Sequence, residues 1–331
     1  MSLPPVLSRL SLPAVAAPMF IVSNPDLVIA QCKAGVVGSF PSLNAREAEG
    51  EPIQLEAWLE RITTELDRHN QANPDQPAAP YAVNLIVHRS NVRVERDLEI
   101  CIKWKVPVVI CSLGAREEVY AAVASYGGIT LHDVINNRFA KKAIEKGATG
   151  LIAVAAGAGG HAGAISPFAL IQEIREWFDG PLLLSGSIAT GDAILAAQAA
   201  GADLAYVGSA FIATEEANAD RRYKNMIVDC GADDIVYSNY FTGVHGNYLK
   251  PSIAANGMDP ENLPQSDPSR MNFSSGFSKP KSWKEIWGAG QGIGAVRAVV
   301  PAAELIARLK REYAAARSRL LAVPGQSIAA E

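Results

Sequence analysis

The stretch Gly150-Leu151-Ile152-Ala153-Val154-Ala155-Ala156-Gly157-Ala158-Gly159-Gly160-His161-Ala162-Gly163 joins an apolar run to a glycine-rich turn carrying one imidazole. Residues 150–156 show no polar alternation, the pattern of a parallel strand buried on both faces. Glycine lets backbone approach a bound group without a Cβ in the way. A permissive strand end with one acid/base group is how a barrel enzyme assembles a site. A plain glycine-rich turn with a surface histidine has the same local sequence, so the reading depends on what surrounds it.

Working outward, short apolar runs recur at 14–19, 35–39, 81–85, 108–112, 128–132, 151–155, 182–186 and 204–208. Helix-like stretches separate them. Residues 55–68 place Leu55, Trp58, Leu59, Ile62 and Leu66 at helical spacing, and 116–125 and 138–146 behave likewise. Residues 167–177 follow Ser166 as an expected N-cap with Pro167 at the first helical position, and 192–200 follow Thr190 as a cap. Strands alternating with helices imply right-handed βαβ units. Eight such units fit a (β/α)8 TIM barrel; a doubly wound sheet is the competing architecture.

The alternation stops after Thr214. Residues 251–281 are dense in Pro, Ser, Asn, Asp and Gly, too long for a simple loop. A helix then resumes over 298–321, with Val300, Leu305, Leu309 and Tyr313 on one side. The expected organisation is a barrel of residues 1–214 and 299–331, with 215–298 as a lid or cap inserted between strand eight and the last helix.

Bulk properties narrow the function. The chain has 331 residues, 49% of them hydrophobic, which is ample for a large core. Its net charge is −4 with no basic block, which argues against nucleic acid and against a membrane surface as partners. The four cysteines have no CxxC spacing and read as small buried hydrophobes. The histidines form no zinc pattern, so no metal is expected. The first twenty residues are broken by Pro4, Pro5 and Pro13 and make no secretory signal. The expected location is the cytoplasm.

Two later strand ends invite an anion. Ser185-Gly186-Ser187-Ile188 follows the seventh run, and Gly208-Ser209-Ala210-Phe211 follows Leu204-Ala205-Tyr206-Val207. In a barrel these are strands seven and eight, where small residues let backbone N–H groups and the Ser187 and Ser209 hydroxyls face a phosphate. Asn84, in the third run, offers a donor and an acceptor to a planar ring, though a turn-capping role reads equally from the residues alone. His132-Asp133 ends the fifth run, where a structural role outweighs catalysis. His245 reads as a loop histidine or as part of the lid. Gly290-x-Gly292-x-x-Ala295 nearly fits a dinucleotide fingerprint but lacks a preceding strand, so a close-packed turn back to the barrel is the better reading.

With these residues placed, the chain resembles the nitronate monooxygenases, also called 2-nitropropane dioxygenases, a family of FMN enzymes on a TIM barrel. Ala16-Ala17-Pro18-Met19 matches the family's strand-one motif. Gly159-Gly160-His161-x-Gly163 matches its glycine-glycine-histidine signature, and Asn84 its flavin-contacting amide. Ser185-Gly186-Ser187-Ile188 and Tyr206-Val207-Gly208-Ser209-x-Phe211 match its phosphate-binding ends. The family usually has Glu-Ala where this chain has Gly157-Ala158, a Gln where it has Val154, and Gly at Ser187.

The resemblance implies FMN held by Ala17, Pro18, Met19, Asn84, Val154, Gly159, Gly160, Ser185, Gly186, Ser187, Tyr206, Val207, Gly208 and Ser209, with His161 as catalytic base. The implied reaction is oxidation of alkyl nitronates, and of nitroalkanes after proton removal, by O2 to carbonyl compounds and nitrite. An NAD(P)H:quinone oxidoreductase and an enoyl-thioester reductase share the scaffold, the latter needing a basic site not evident in the motifs. A non-catalytic FMN-binding module is the alternative from another class.

Overall fold

The computed structural model describes residues 3–46, 53–266 and 284–322. Eight parallel strands close a barrel: β1 (Ala14–Ala16), β2 (Gly38–Pro41), β3 (Tyr81–Ile86), β4 (Val108–Ser112), β5 (Ile129–Val134), β6 (Gly150–Val154), β8 (Leu182–Ser185) and β9 (Leu204–Val207), with the short β7 (Gly160–His161) outside it. Each strand pairs with the next around the ring, and β1 pairs with β9. A parallel bridge between Val15 and Val37 brings β1 to β2, with Ala16 N donating to Val37 O at 2.8 Å. All eight runs expected from the sequence are barrel strands.

The outer ring is α1 (Pro25–Lys33), α2 (Ile53–Ala72), α3 (Val94–Lys103), α4 (Glu117–Ala124), α5 (Asn137–Glu145), α6 (Pro167–Arg175), α7 (Gly191–Ala199) and, after α8 (Ser209–Ile212), α9 (Arg221–Asp229) and α10 (Lys250–Ala254), the closing helix α11 (Ala302–Leu321). The sequence reading did not single out α1 and α3. Thr190 caps α7 by accepting from Ala193 N at 3.1 Å. Ser166 occupies the N-cap position of α6, but its side chain accepts no capping bond; Pro167 at the helix start sets that boundary. Val300 lies before α11 rather than on it. A residue preceding proline is pushed to extended backbone, and Val300 bridges to Thr214.

Two apolar layers explain the unalternated strands. Val15, Val37, Ala82, Val108, Ile110, Leu131, Ile152, Leu183 and Leu204 fill the barrel interior, with Leu7 of the N-terminal segment packed among them. Val83, Val109, Cys111, Leu151, Ala153, Leu182 and Ala205 face outward against the helices. Because the strand period is two, the next interior position on seven of these strands rises to the mouth. Those positions are Ala17, Asn84, Ser112, Asp133, Val154, Ser185 and Tyr206.

The chain between Thr214 and α11 adds β10 (Ile235–Ser238) and β11 (Gly246–Leu249), an antiparallel pair. β11 also pairs with β7, with Gly246 opposite His161 and Asn247 opposite Gly160. Of the segment 251–281 read as lid, residues 267–281 lie outside the described residues.

Candidate active site

The strand ends surround a cavity of about 580 Å³. It is bordered by Ala17, Pro18, Met19, Asn84, Val154, Gly159, Gly160, His161, Ser185, Gly186, Ser187, Tyr206, Gly208 and Ser209. One residue of the expected set stays out. Val207 turns its side chain into the outer core, and only its carbonyl takes part, accepting from Ala17 N at 2.8 Å.

Backbone geometry shapes the walls. Gly157 has φ +81°, and a Cβ there would meet Ser187 Oγ at 2.2 Å. A side chain such as the family's usual Glu has no room at this position. The Gly157 carbonyl accepts from Ser187 N at 3.2 Å and from Gln291 N at 2.9 Å, so three segments converge on it. Ser187 sits at φ +56°, a left-handed conformation that costs a non-glycine residue energy and concentrates at ligand sites. Gly290-Gln291-Gly292 packs against Gly157 and Ser187 as a tight return turn, and no strand precedes it among the described residues. Gly290 N donates to Ser209 Oγ at 2.8 Å, which leaves the Ser209 hydroxyl proton free to face the cavity.

His161 is placed by the inserted segment. Its Nε2 lies 2.9 Å from Thr242 Oγ1. That hydroxyl gives its own proton to Val244 O at 3.1 Å, so it is set to accept one from His161 Nε2. Burial pulls the imidazole down to about 4. The residue expected to titrate near neutrality is therefore uncharged there. Thr242 was invisible in the sequence, because nothing local marks it as a partner for a residue 81 positions away.

Asn84 lies inside β3, not at its end, and donates to Ile110 O at 3.0 Å and Ser112 Oγ at 2.8 Å. His132 turns outward, its Nδ1 2.8 Å from Tyr120 Oη of α4, and burial lowers it to about 4. Its neighbour Asp133 takes the interior position, and the Ser112 hydroxyl donates to its Oδ2. Burial raises that carboxyl to about 6. The period-two register with Leu131 could have found Asp133. His245 is exposed and stacks on Tyr237 at 5.0 Å. Lys142 of α5 also borders the cavity, supplying a basic group that the strand-end motifs lack.

These shifts set a pH dependence of stability. His132 and His161 stay neutral in the fold but charge below about 6.5 in the unfolded chain, so their contribution is complete above 6.5 and is lost as pH falls toward 4. At pH 5 this amounts to about 2 kcal/mol each. Asp133 works the opposite way, its contribution being lost as pH rises through 6. Two histidines outweigh one carboxyl. The melting temperature at pH 5 is expected several degrees below that at pH 7.5, and His132→Gln is expected to narrow the gap. An unchanged gap would show that His132 is not held neutral.

An eight-stranded parallel barrel with its cavity, histidine and small-residue loops at the C-terminal strand ends defines a (β/α)8 barrel enzyme. The family model described as nitronate monooxygenase matches residues 6–312. The chain belongs to the nitronate monooxygenase family and is an oxidoreductase. It is 26% identical to the nitronate monooxygenase of Paraburkholderia phytofirmans, over 91% of this chain and 92% of that protein. It is 24% identical to the (3aS,4S,5R,7aS)-5-hydroxy-7a-methyl-1-oxo-octahydro-1H-indene-4-carboxyl-CoA dehydrogenase of Rhodococcus jostii, over 73% of this chain and 63% of that one. Nitroalkane oxidase from Streptomyces ansochromogenes superposes with a TM-score of 0.76 at 25% identity, covering 93% of this chain and 97% of that one. Among the described residues no helix is long and apolar enough to cross a membrane.

Proposed function

We propose that the chain binds FMN in this cavity and oxidises alkyl nitronates with O2 to carbonyl compounds and nitrite, accepting nitroalkanes by way of His161. The observation that carries the reading is convergence: one neutral imidazole and the small-residue ends of β8 and β9 border the same cavity. The residues fit the cofactor. A Cβ on Gly208 would meet only Ala17 Cβ at 3.4 Å, so the space beside it is open for a bound group. The hydroxyls of Ser187 and Ser209 flank that space and would hold the phosphate, while Asn84 and Tyr206 would contact the ring. When bound, the flavin supplies the electron transfer; the chain supplies position and proton handling. His161 takes the α-proton of a neutral nitroalkane, while Thr242 holds the ring by Nε2. We read residues 215–298 as the cap over this site, with the barrel formed by 1–214 and 299–331.

Anaerobic mixing of the FMN-loaded protein with a nitronate, and separately with NADH and NADPH, tests the reading. Flavin bleaching by the nitronate, with nitrite released on admitting O2, is the expected result. Bleaching by NAD(P)H followed by quinone turnover, with no response to nitronate, would assign the quinone oxidoreductase instead. No bleaching by any of them would leave a non-catalytic FMN-binding module.

Gly208→Val tests the cofactor seat. A Cβ there makes only an ordinary contact with Ala17, so the fold is expected to persist while FMN affinity falls at least tenfold, as read by flavin content and by titration of the apoprotein. Undiminished flavin content would place the phosphate elsewhere. Gly186 is a poorer probe: at φ +142°, with Ala156 O 2.7 Å from its Cβ position, substitution there strains the backbone directly.

A further inference from the structure

Above the apolar barrel layer, three interior side chains form one directed hydrogen-bond chain. Asn84 Nδ2 spends both hydrogens, on Ile110 O and on Ser112 Oγ. Ser112 Oγ passes its own proton to Asp133 Oδ2. The chain ends there: Asp133 Oδ1 is shut off from solvent and meets no hydrogen-bond donor. All three residues border the cavity. A buried carboxylate oxygen without a donor is costly as an anion and tolerable as part of a neutral acid.

We propose that Asp133 is a proton-holding residue at the cavity wall, protonated when flavin occupies the cavity and releasing that proton when the site empties. The inference rests on the flavin reading of the cavity. Burial already lifts the carboxyl to about 6, against the opposing hydrogen bond from Ser112. An occupant that displaces cavity water removes more solvation from the anion and lifts it further. Among the described residues, the groups around Asp133 whose shifts are resolved move away from that window. Tyr206 on β9 and Cys111 on β4 are pushed upward by burial and stay neutral. His161 on β7 is lowered to about 4 and also stays neutral. Lys142 on α5 borders the cavity, and His132, next to Asp133 on β5, faces away toward Tyr120. Of the protein's own groups, Asp133 is then the one placed to take up a proton on binding.

The test is the dissociation constant of FMN from pH 5 to 8, by fluorescence quenching, for the unaltered chain and for Asp133→Asn. The FMN phosphate titrates in the same range but is common to both proteins and cancels in their ratio. Asparagine mimics the neutral acid. The two proteins are expected to bind alike at pH 5. At pH 8 the unaltered chain is expected to bind about tenfold more weakly for each unit by which binding raises the carboxyl. Ser112→Ala keeps the carboxyl and removes the donor that favours its ionised form. Its transition, read the same way, is expected at higher pH than in the unaltered chain, and it serves if Asp133→Asn fails to fold. A ratio constant across pH, or an unshifted transition in Ser112→Ala, would overturn the role of Asp133 while leaving the flavin site intact. Failure of the unaltered chain to bind FMN at any pH would overturn the flavin reading itself, and this inference with it.

Discussion

His161→Asn is expected to cut turnover of a neutral nitroalkane by ~10²–10⁴-fold, the usual cost of losing a positioned base, while turnover of a preformed nitronate falls far less. The nitroalkane must lose its α-proton inside the site; the nitronate has lost it already. Asparagine keeps polarity and approximate size but cannot take a proton near neutral pH. Because burial holds the imidazole near 4, the unaltered protein is expected to show a nitroalkane rate that does not titrate between pH 6 and 8. The rate should fall only as pH drops toward 4 and the lone pair is protonated. Thr242→Val removes the partner of Nε2 and lets the other tautomer compete. It should therefore lower the nitroalkane rate, again sparing the nitronate, with FMN still bound. Equal losses on both substrates in His161→Asn would assign the histidine to binding rather than proton abstraction.

Gly191→Ala is expected to destabilise the barrel strongly, because the added methyl meets backbone rather than a movable side chain. At the first position of α7 a Cβ would fall 2.1 Å from Tyr313 N, 2.3 Å from Leu309 O and 2.7 Å from Glu312 C, all backbone of α11. Gly191 N also donates to Glu312 Oε2 at 2.8 Å, so the two helices are pinned where they touch. Alanine brings a helix-propensity gain of up to about 1 kcal/mol. Overpacking against rigid backbone costs ~1–3 kcal/mol or more and wins, because α11 cannot repack around the methyl without undocking. The expected readout is a fall in melting temperature of several degrees, with α11 becoming more accessible to proteolysis. An unchanged melting temperature would show that α11 is free to move away from α7 at no cost.

The contrast between these residues shows where sequence reading succeeds. His161 stands out because a long apolar run and a cluster of glycines announce it locally. Gly191 carries no such signal: one glycine at a helix start reads as ordinary, and its constraint comes from a helix more than a hundred residues later. The same holds at the mouth. Asn84, Ser185, Ser187 and Ser209 sit at or near strand ends that their neighbours make legible. Thr242, Gly290 and Ser112 become site residues only through contacts that no local pattern encodes.

The sequence by itself determined the eight strands, because each is a short apolar run and several lack polar alternation, the composition that burial on both faces demands. It also marked α2, α4, α5, α6, α7 and α11, but not α1 or α3. Tertiary structure alone decided which side of each strand a residue faces. A shift of one position exchanges cavity for outer core, which separates Tyr206 from Val207 and Asp133 from His132. It also decided that the segment after Thr214 reaches back to pair β11 with Gly160 and His161, and so holds the imidazole from above. Strand burial is a local property that composition records. Side-chain facing and long-range pairing depend on register and closure, which are fixed only when the whole barrel packs.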